Sequence, residues 1–157
     1  QIYELFRLEL THGPGLPTAQ VLDLSRQSRP PGVPLLVSDA AAPCWRVRRL
    51  RLLSQVPVAL EEIWFDASAS PTLRPQELGD SMYLFYQQRF QVWIARVEDQ
   101  IAVGPAPEWA AAPSRLQPGA IAGYIERTSW TANNQVAEFS KTWFDPAVCR
   151  YTSRMSQ

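Results

Sequence analysis

The chain has 157 residues, 46% hydrophobic and 19% charged, which is enough apolar material to bury one sizeable core. Basic and acidic residues balance at 15 each, so the basic excess usual in a nucleic-acid module is missing. No apolar run approaches the roughly 20 residues of a membrane span, and no secretory signal pattern occurs; a cytoplasmic location away from membranes is expected.

In chain order, "QIYELFRLELTHGPGLP" is an apolar start followed by a turn-rich break. Opening without methionine, it reads as the start of a piece cut from something longer. "TAQVLDLS" alternates like a strand, "RQSRPPGVPLL" is a proline-rich loop, and "VSDAAAP" suits a short helical turn stopped by Pro43. Trp45 to Leu53 and Pro57 to Phe65 are two strand-length apolar runs, close enough in sequence for an antiparallel hairpin. "DASASPTLRPQELGD" is a loop ending in a helix start, where Asp80 or Ser81 caps a helix through "MYLFYQQRF". "ARVEDQIAVG" reads as a strand and "APEWAAAP" as a short helix ended by Pro113. "GYIERTSWT" and "QVAEFSKTWF" are strands on either side of the turn "ANN". The order predicts an α+β fold built on a mainly antiparallel sheet.

Few residues suit metal or acid–base chemistry. His12 is the only histidine and lies in a loop with Gly13 and Gly15, and no Cys-x-x-Cys pair or phosphate-cradling glycine pattern occurs. No metal, cofactor or catalytic residue is expected. Cys44 and Cys149 read as two reduced core thiols, with a disulfide as the alternative.

The stretch "CWRVRRLRLL" carries four arginines in six positions. Strand alternation splits them: Arg49 and Arg51 share a face with Trp45 and Val47, while Arg46 and Arg48 go to the other side. With a three-residue loop from Ser54 to Val56, Arg49 lies opposite Glu61 and Arg51 opposite Ala59. Two guanidiniums roughly 7 Å apart beside a carboxylate suit an anionic, hydroxylated ligand; a plain cross-strand ion pair accounts for the same pattern. Ser81 offers an anion the N-terminus of a helix, or simply caps it. Glu138 shares a face with Ser140, Thr142 and Phe144, so it points either to solvent or to a buried ligand hydroxyl.

Four stretches, "RRLRLLSQVPVALEEIWFD", "LGDSMYLFYQQRF", "ARVEDQIAVGPAPEWA" and "IERTSWTANNQVAEFSKTWFDPAVCRY", together resemble the UTRA effector-binding domain. That domain is the C-terminal half of the HutC subfamily of GntR-type bacterial transcription regulators. The resemblance runs from about residue 44 to residue 151, with a weaker match over "YELFRLELTHGPGLPTAQVLDL". It implies a chorismate lyase-like fold, a central antiparallel sheet of about six strands with flanking helices, formed by residues 1–157 as one domain with 1–16 as lead-in. It also implies an effector pocket over the sheet. Arg49, Arg51 and Ser81 would hold an anion with Tyr83 beside them, Glu61 and Glu138 would hold hydroxyls or an amine, Phe144 would line the pocket, and Leu5 to Arg7, with Phe6, would close it.

On this reading the chain is the ligand-sensing, homodimerising part of a regulator, binding a small anionic effector and reaching DNA only through an absent N-terminal winged helix-turn-helix. "LFRLEL" departs from the Ser-Phe-Thr-like run usual in the lead-in, residues 25–44 match poorly, and Pro113 interrupts what is usually a continuous helix. A chorismate lyase-like enzyme of the same fold is the alternative, and a dimerisation domain with a degenerate pocket a third reading.

Overall fold

The computed structural model describes residues 5–35, 41–110 and 114–157. Eight strands and one α-helix follow in the order β1 (Leu8–Leu10), β2 (Pro17–Ser28), β3 (Pro43–Leu53), β4 (Val56–Asp66), α1 (Met82–Phe90), β5 (Arg96–Pro105), β6 (Ile121–Trp130), β7 (Val136–Phe144) and β8 (Cys149–Tyr151). Six of the strands form one antiparallel sheet in the order β2-β3-β4-β7-β6-β5. β1 and β8 make a separate two-stranded sheet that ties the two ends of the chain together.

The β3–β4 hairpin sets the register on which the candidate site depends. Arg49 stands opposite Glu61 and Arg51 opposite Ala59, as the sequence suggests, but by a different route. The connection is a two-residue turn, Ser54–Gln55, and not the three-residue loop. Both turn residues have positive φ (46° and 68°), the geometry that matches strand twist in a tight hairpin. Hydrogen bonds between Ser54 and the backbone of Leu16 hold this uncommon conformation. One extra residue in β4, a bulge at Val58, then restores the predicted pairing.

Alternation gives the sheet two unlike faces. One face carries rows that run across the strands, of which Val21–Arg49–Glu61–Thr142–Ile125 and Val47–Ile63–Ser140–Arg127–Asp99 are the central two. Helix α1 lies over part of this face, burying Met82, Phe85 and Tyr86 against Trp45, Val47, Ile63 and Phe65. The other face packs Leu50, Leu60 and Trp143 under Ala106, Leu116 and Trp109. Arg46 and Arg48 point this way, paired with Asp23 and Glu62, and Arg48 also lies over the Trp109 ring.

Two predicted features change. Residues 106–110 form a turn and not the start of a helix, with residues 111–113 outside the description, so among the described residues α1 is the single α-helix beside a 3-10 turn at Pro75–Glu77. The helical turn predicted in "VSDAAAP" falls largely on residues 36–40, outside the description. The thiols of Cys44 and Cys149 are free and buried in separate clusters, Cys44 with Val33 and Trp64, Cys149 with Leu8 and Val58.

Phe144, expected in the pocket, packs instead into the cluster of Leu8, Leu10, Val58 and Ile125. Its ring occupies the space above Gly123, where an added Cβ would come within 2.1 Å of the ring. Gly123→Ala is therefore expected to cost about 1–3 kcal/mol by overpacking, read as a lower urea midpoint with the slope unchanged.

Candidate effector site

The pairing rows place charged side chains over the same face from four strands. Between this face, the N-terminus of α1 and the lead-in residues Leu5 to Leu8 lies a cavity of ≈110 Å³. It is lined by Phe6, Arg49, Arg51, Glu61, Ser81, Tyr83 and Glu138, all expected from the sequence, while Phe144 is not among its lining residues.

The two arginines converge on one carboxylate. Arg49 donates from Nε and Nη2 to Glu61 Oε1 (3.1 and 3.0 Å), and Arg51 donates from Nη2 to the same oxygen at 3.4 Å. Arg49 Nη1 also reaches the carbonyls of Gly79 and Asp80, and Arg51 Nη1 those of Thr18 and Asp80. The pair thus fastens the loop that leads into α1. Arg51 is 6% exposed, and its Nε makes no hydrogen bond among the described residues. The Phe6 ring lies 5.1 Å from its guanidinium. Burial lowers the Arg51 pKa, partly offset by Glu61. Burial alone would raise the Glu61 carboxyl, but the charges of Arg51 and Arg49 hold it below the usual range.

Ser81 caps α1, its Oγ accepting from Leu84 N (3.2 Å), while also lining the cavity. Capping and cavity lining are therefore compatible at this residue. Asp80, the other candidate cap, accepts instead from Ala19 N.

Glu138 points inward, 4% exposed, and accepts a short hydrogen bond from the Tyr86 hydroxyl. Burial pushes its carboxyl up to about 7, against the pull of the Tyr86 hydrogen bond, Arg49 and Arg127. Tyr83 sits across from it, its hydroxyl 2.9 Å from Ser129 Oγ. Burial, then the Glu138 charge, raises the Tyr83 phenol to about 12, so it serves as a neutral hydrogen-bonding group.

Sequence reasoning missed Arg127 and Tyr151, which also line the cavity, while Arg7 lines it as part of the expected lead-in. Alternation through "GYIERTSWT" sets Arg127 beside Ile125 and Ser129, and would have flagged it once the face of β6 was known. Tyr151 arrives through the β1–β8 pairing of the chain ends, which leaves no local pattern.

The UTRA domain family profile matches residues 15–148, which is most of the chain. The chain belongs to the UTRA domain family. This UTRA chain is 41% identical over 154 residues to the HTH-type transcriptional regulator SmoD of Agrobacterium fabrum, covering 98% of itself and 65% of that protein. It is 28% identical over 109 residues to MngR of Escherichia coli, the repressor of a mannosyl-D-glycerate transport and metabolism system, covering 69% of itself and 45% of MngR. The chain thus spans less than two thirds of the length of these relatives.

Among solved structures, the ligand-binding domain of a protein assigned to the GntR regulators of Bordetella bronchiseptica shares the fold at TM-score 0.84 and 16% identity, covering 98% of this chain and 99% of that one. The effector domain of PhnF from Mycobacterium smegmatis does so at TM-score 0.74 and 18% identity, covering 90% and 88%. None of these relatives is named as an enzyme, and the lyase alternative has no support among them.

Proposed function

We propose that this UTRA domain is the effector-sensing half of a GntR-type transcription regulator, and that its cavity takes a small anionic ligand. The observation that carries the ligand chemistry is the buried Arg49–Arg51 pair sharing the single carboxylate of Glu61, with Arg51 Nε left without an acceptor. A buried donor without a partner costs about 1–3 kcal/mol. A ligand oxygen accepting from it would remove that cost and meet the positive charge that one carboxylate cannot balance. Ser81 and the first amides of α1 stand at the same end of the cavity and suit the same anion.

The lead-in segment links this binding to regulation. Leu5 to Leu8 line the cavity, and β1 is held by β8. In a full-length regulator the DNA-binding half would be reached through this segment, so a ligand that favours one placement of it biases the DNA-binding heads of a cytoplasmic homodimer. The effect on operator binding equals the ligand's differential affinity for the two arrangements.

The test is calorimetric titration with anionic sugars and simple carboxylates. Arg51→Ala should weaken whichever of them binds the wild type by about 2–5 kcal/mol. Equal affinity in wild type and variant would show that the anion is held elsewhere.

A further inference from the structure

Two residues of the cavity wall meet at a carboxylate that lies outside it. Arg127 on β6 donates from Nε and Nη2 to Asp99 at 2.6 and 2.8 Å, and the Tyr151 hydroxyl on β8 donates to the same carboxylate at 2.6 Å. Arg127 and Tyr151 line the cavity, whereas Asp99 is not among its lining residues. A guanidinium engaged by two parallel hydrogen bonds is fixed in plane and direction, so Asp99 sets how Arg127 meets whatever enters.

Asp99 belongs to β5, an edge of the large sheet, and its neighbours Glu98 and Gln100 are exposed. Its own side chain is 8% exposed. Burial alone would raise the Asp99 carboxyl, but the hydrogen bonds and charge of Arg127, the Tyr151 hydrogen bond and the charge of Arg7 hold it below the ordinary range. A buried ion pair is seldom the most stable filling of a site, since apolar side chains of similar volume do as well or better. The placement of this one gives it a different use.

The carboxylate stands between the cavity and the strand that leads into the domain. Tyr151 pairs with Leu8 of β1, and Thr152 N donates to the Arg7 carbonyl at 2.7 Å. The Tyr151 side chain therefore ties the small β1–β8 sheet to the edge of the large one through Asp99. A ligand that moves Arg127 or Tyr151 disturbs the bonds at Asp99, and with them the seating of β1.

Resting on the effector-site reading above, we infer that Asp99 is a positioning residue: it orients Arg127 and Tyr151 in the cavity wall and couples occupancy of the cavity to the seating of the lead-in strand. Asp99 acts through those two side chains, not by contact with the ligand. Coupling of this kind is reciprocal, so a ligand that needs the tie in place also holds the tie in place.

The tie can be tested without a ligand. Amide hydrogen exchange, read by mass spectrometry, compares wild type with Tyr151→Phe, which removes one hydroxyl, and with Asp99→Asn. Both variants should exchange at least about tenfold faster over residues 7–10 and 149–152 while β3 and β4 keep their wild-type rates, because the opening is local. Unchanged exchange at the chain ends in Tyr151→Phe, or a uniform rise that includes β3 and β4, would overturn the tie. Tyr151→Phe decides alone if Asp99→Asn does not fold.

The coupling is tested with a probe at pH 7, the tightest binder among glucose 6-phosphate, glucuronate and citrate. In wild type the probe should slow exchange over residues 7–10. In Tyr151→Phe that slowing should be lost and the affinity should fall about 3- to 10-fold, the scale of one hydrogen bond. Equal slowing and equal affinity in the two proteins would show that occupancy does not act through Asp99. If none of the three probes binds wild type, the anion reading falls, while the exchange comparison still decides the tie.

Discussion

Replacing Arg49 by alanine is expected to lower the unfolding free energy by about 3–5 kcal/mol and to abolish binding of the anionic effector. Arg49 is almost fully buried, and its four hydrogen bonds join β3, β4 and the loop before α1. Removing it leaves Glu61 with the longer contact to Arg51 and takes the donor from the Gly79 and Asp80 carbonyls. The cost arises from stranding groups already out of water, so it exceeds what an exposed pair would show. Arg49→Lys should recover only part of the loss, since an ammonium cannot repeat the planar fork that meets Glu61 and two carbonyls together. Urea unfolding of both variants measures this. A loss below about 1 kcal/mol for Arg49→Ala, the scale of a surface pair, would mean that the network does not hold the loop.

Glu138→Gln should change how stability depends on pH. Burial raises the folded-state carboxyl to about 7 from an ordinary 4.5, so between these values the folded protein holds a proton that the unfolded chain has released. The stabilisation from this group is complete below about pH 4.5 and is lost as pH rises through 7, a swing of about 3 kcal/mol. Glu61 and Asp99 act in the opposite direction: their carboxyls are held below the ordinary range, and their contribution is lost as pH falls through those lowered values. Glutamine keeps the shape and cannot ionise. The variant should therefore be more stable than wild type at pH 8 and show a flatter melting temperature between pH 5 and 8, as thermal melts will show. Ligand affinity should follow. The groups facing Glu138 are Tyr86 and Tyr83 from α1, Arg49 from β3, Glu61 from β4 and Arg127 from β6. Ionised Glu138 adds a negative charge among them, so wild-type affinity for an anion should decline above pH 7 and the glutamine variant's should not. Equal pH profiles for the two proteins would show that Glu138 does not titrate in this range.

The helix was legible to the residue because its signals are local. Ser81 supplies a cap, and the apolar positions of "MYLFYQQRF" have a place to pack. The division of four arginines between two faces was equally legible, since alternation is a property of the extended backbone alone. The hairpin register came out as predicted although the loop length did not, because the Val58 bulge compensates for the shorter turn. No local rule signals that compensation. The predicted helix at "APEWAAAP" fails over the described residues because Ala106 and Trp109 pack beneath the sheet, Ala106 bonds the backbone at Gly119 and Ala120, and a turn meets those contacts.

The sequence by itself determined the elements of the sheet, the shared face of Arg49 and Arg51, and the family, but left the direction of Glu138 open. Each follows from short-range periodicity or from residues in a recognisable order. Only the tertiary structure decided which inward residues share a cavity. Phe144 lies on the same face as Glu138, yet it turns over Gly123 into the core, because a glycine on the adjacent strand β6 leaves room for its ring. Arg127 and Tyr151 enter the cavity because strand order sets β6 beside β7 and β8 beside the lead-in. Both outcomes depend on contacts between residues far apart in sequence, and those contacts exist only after the strands have assembled.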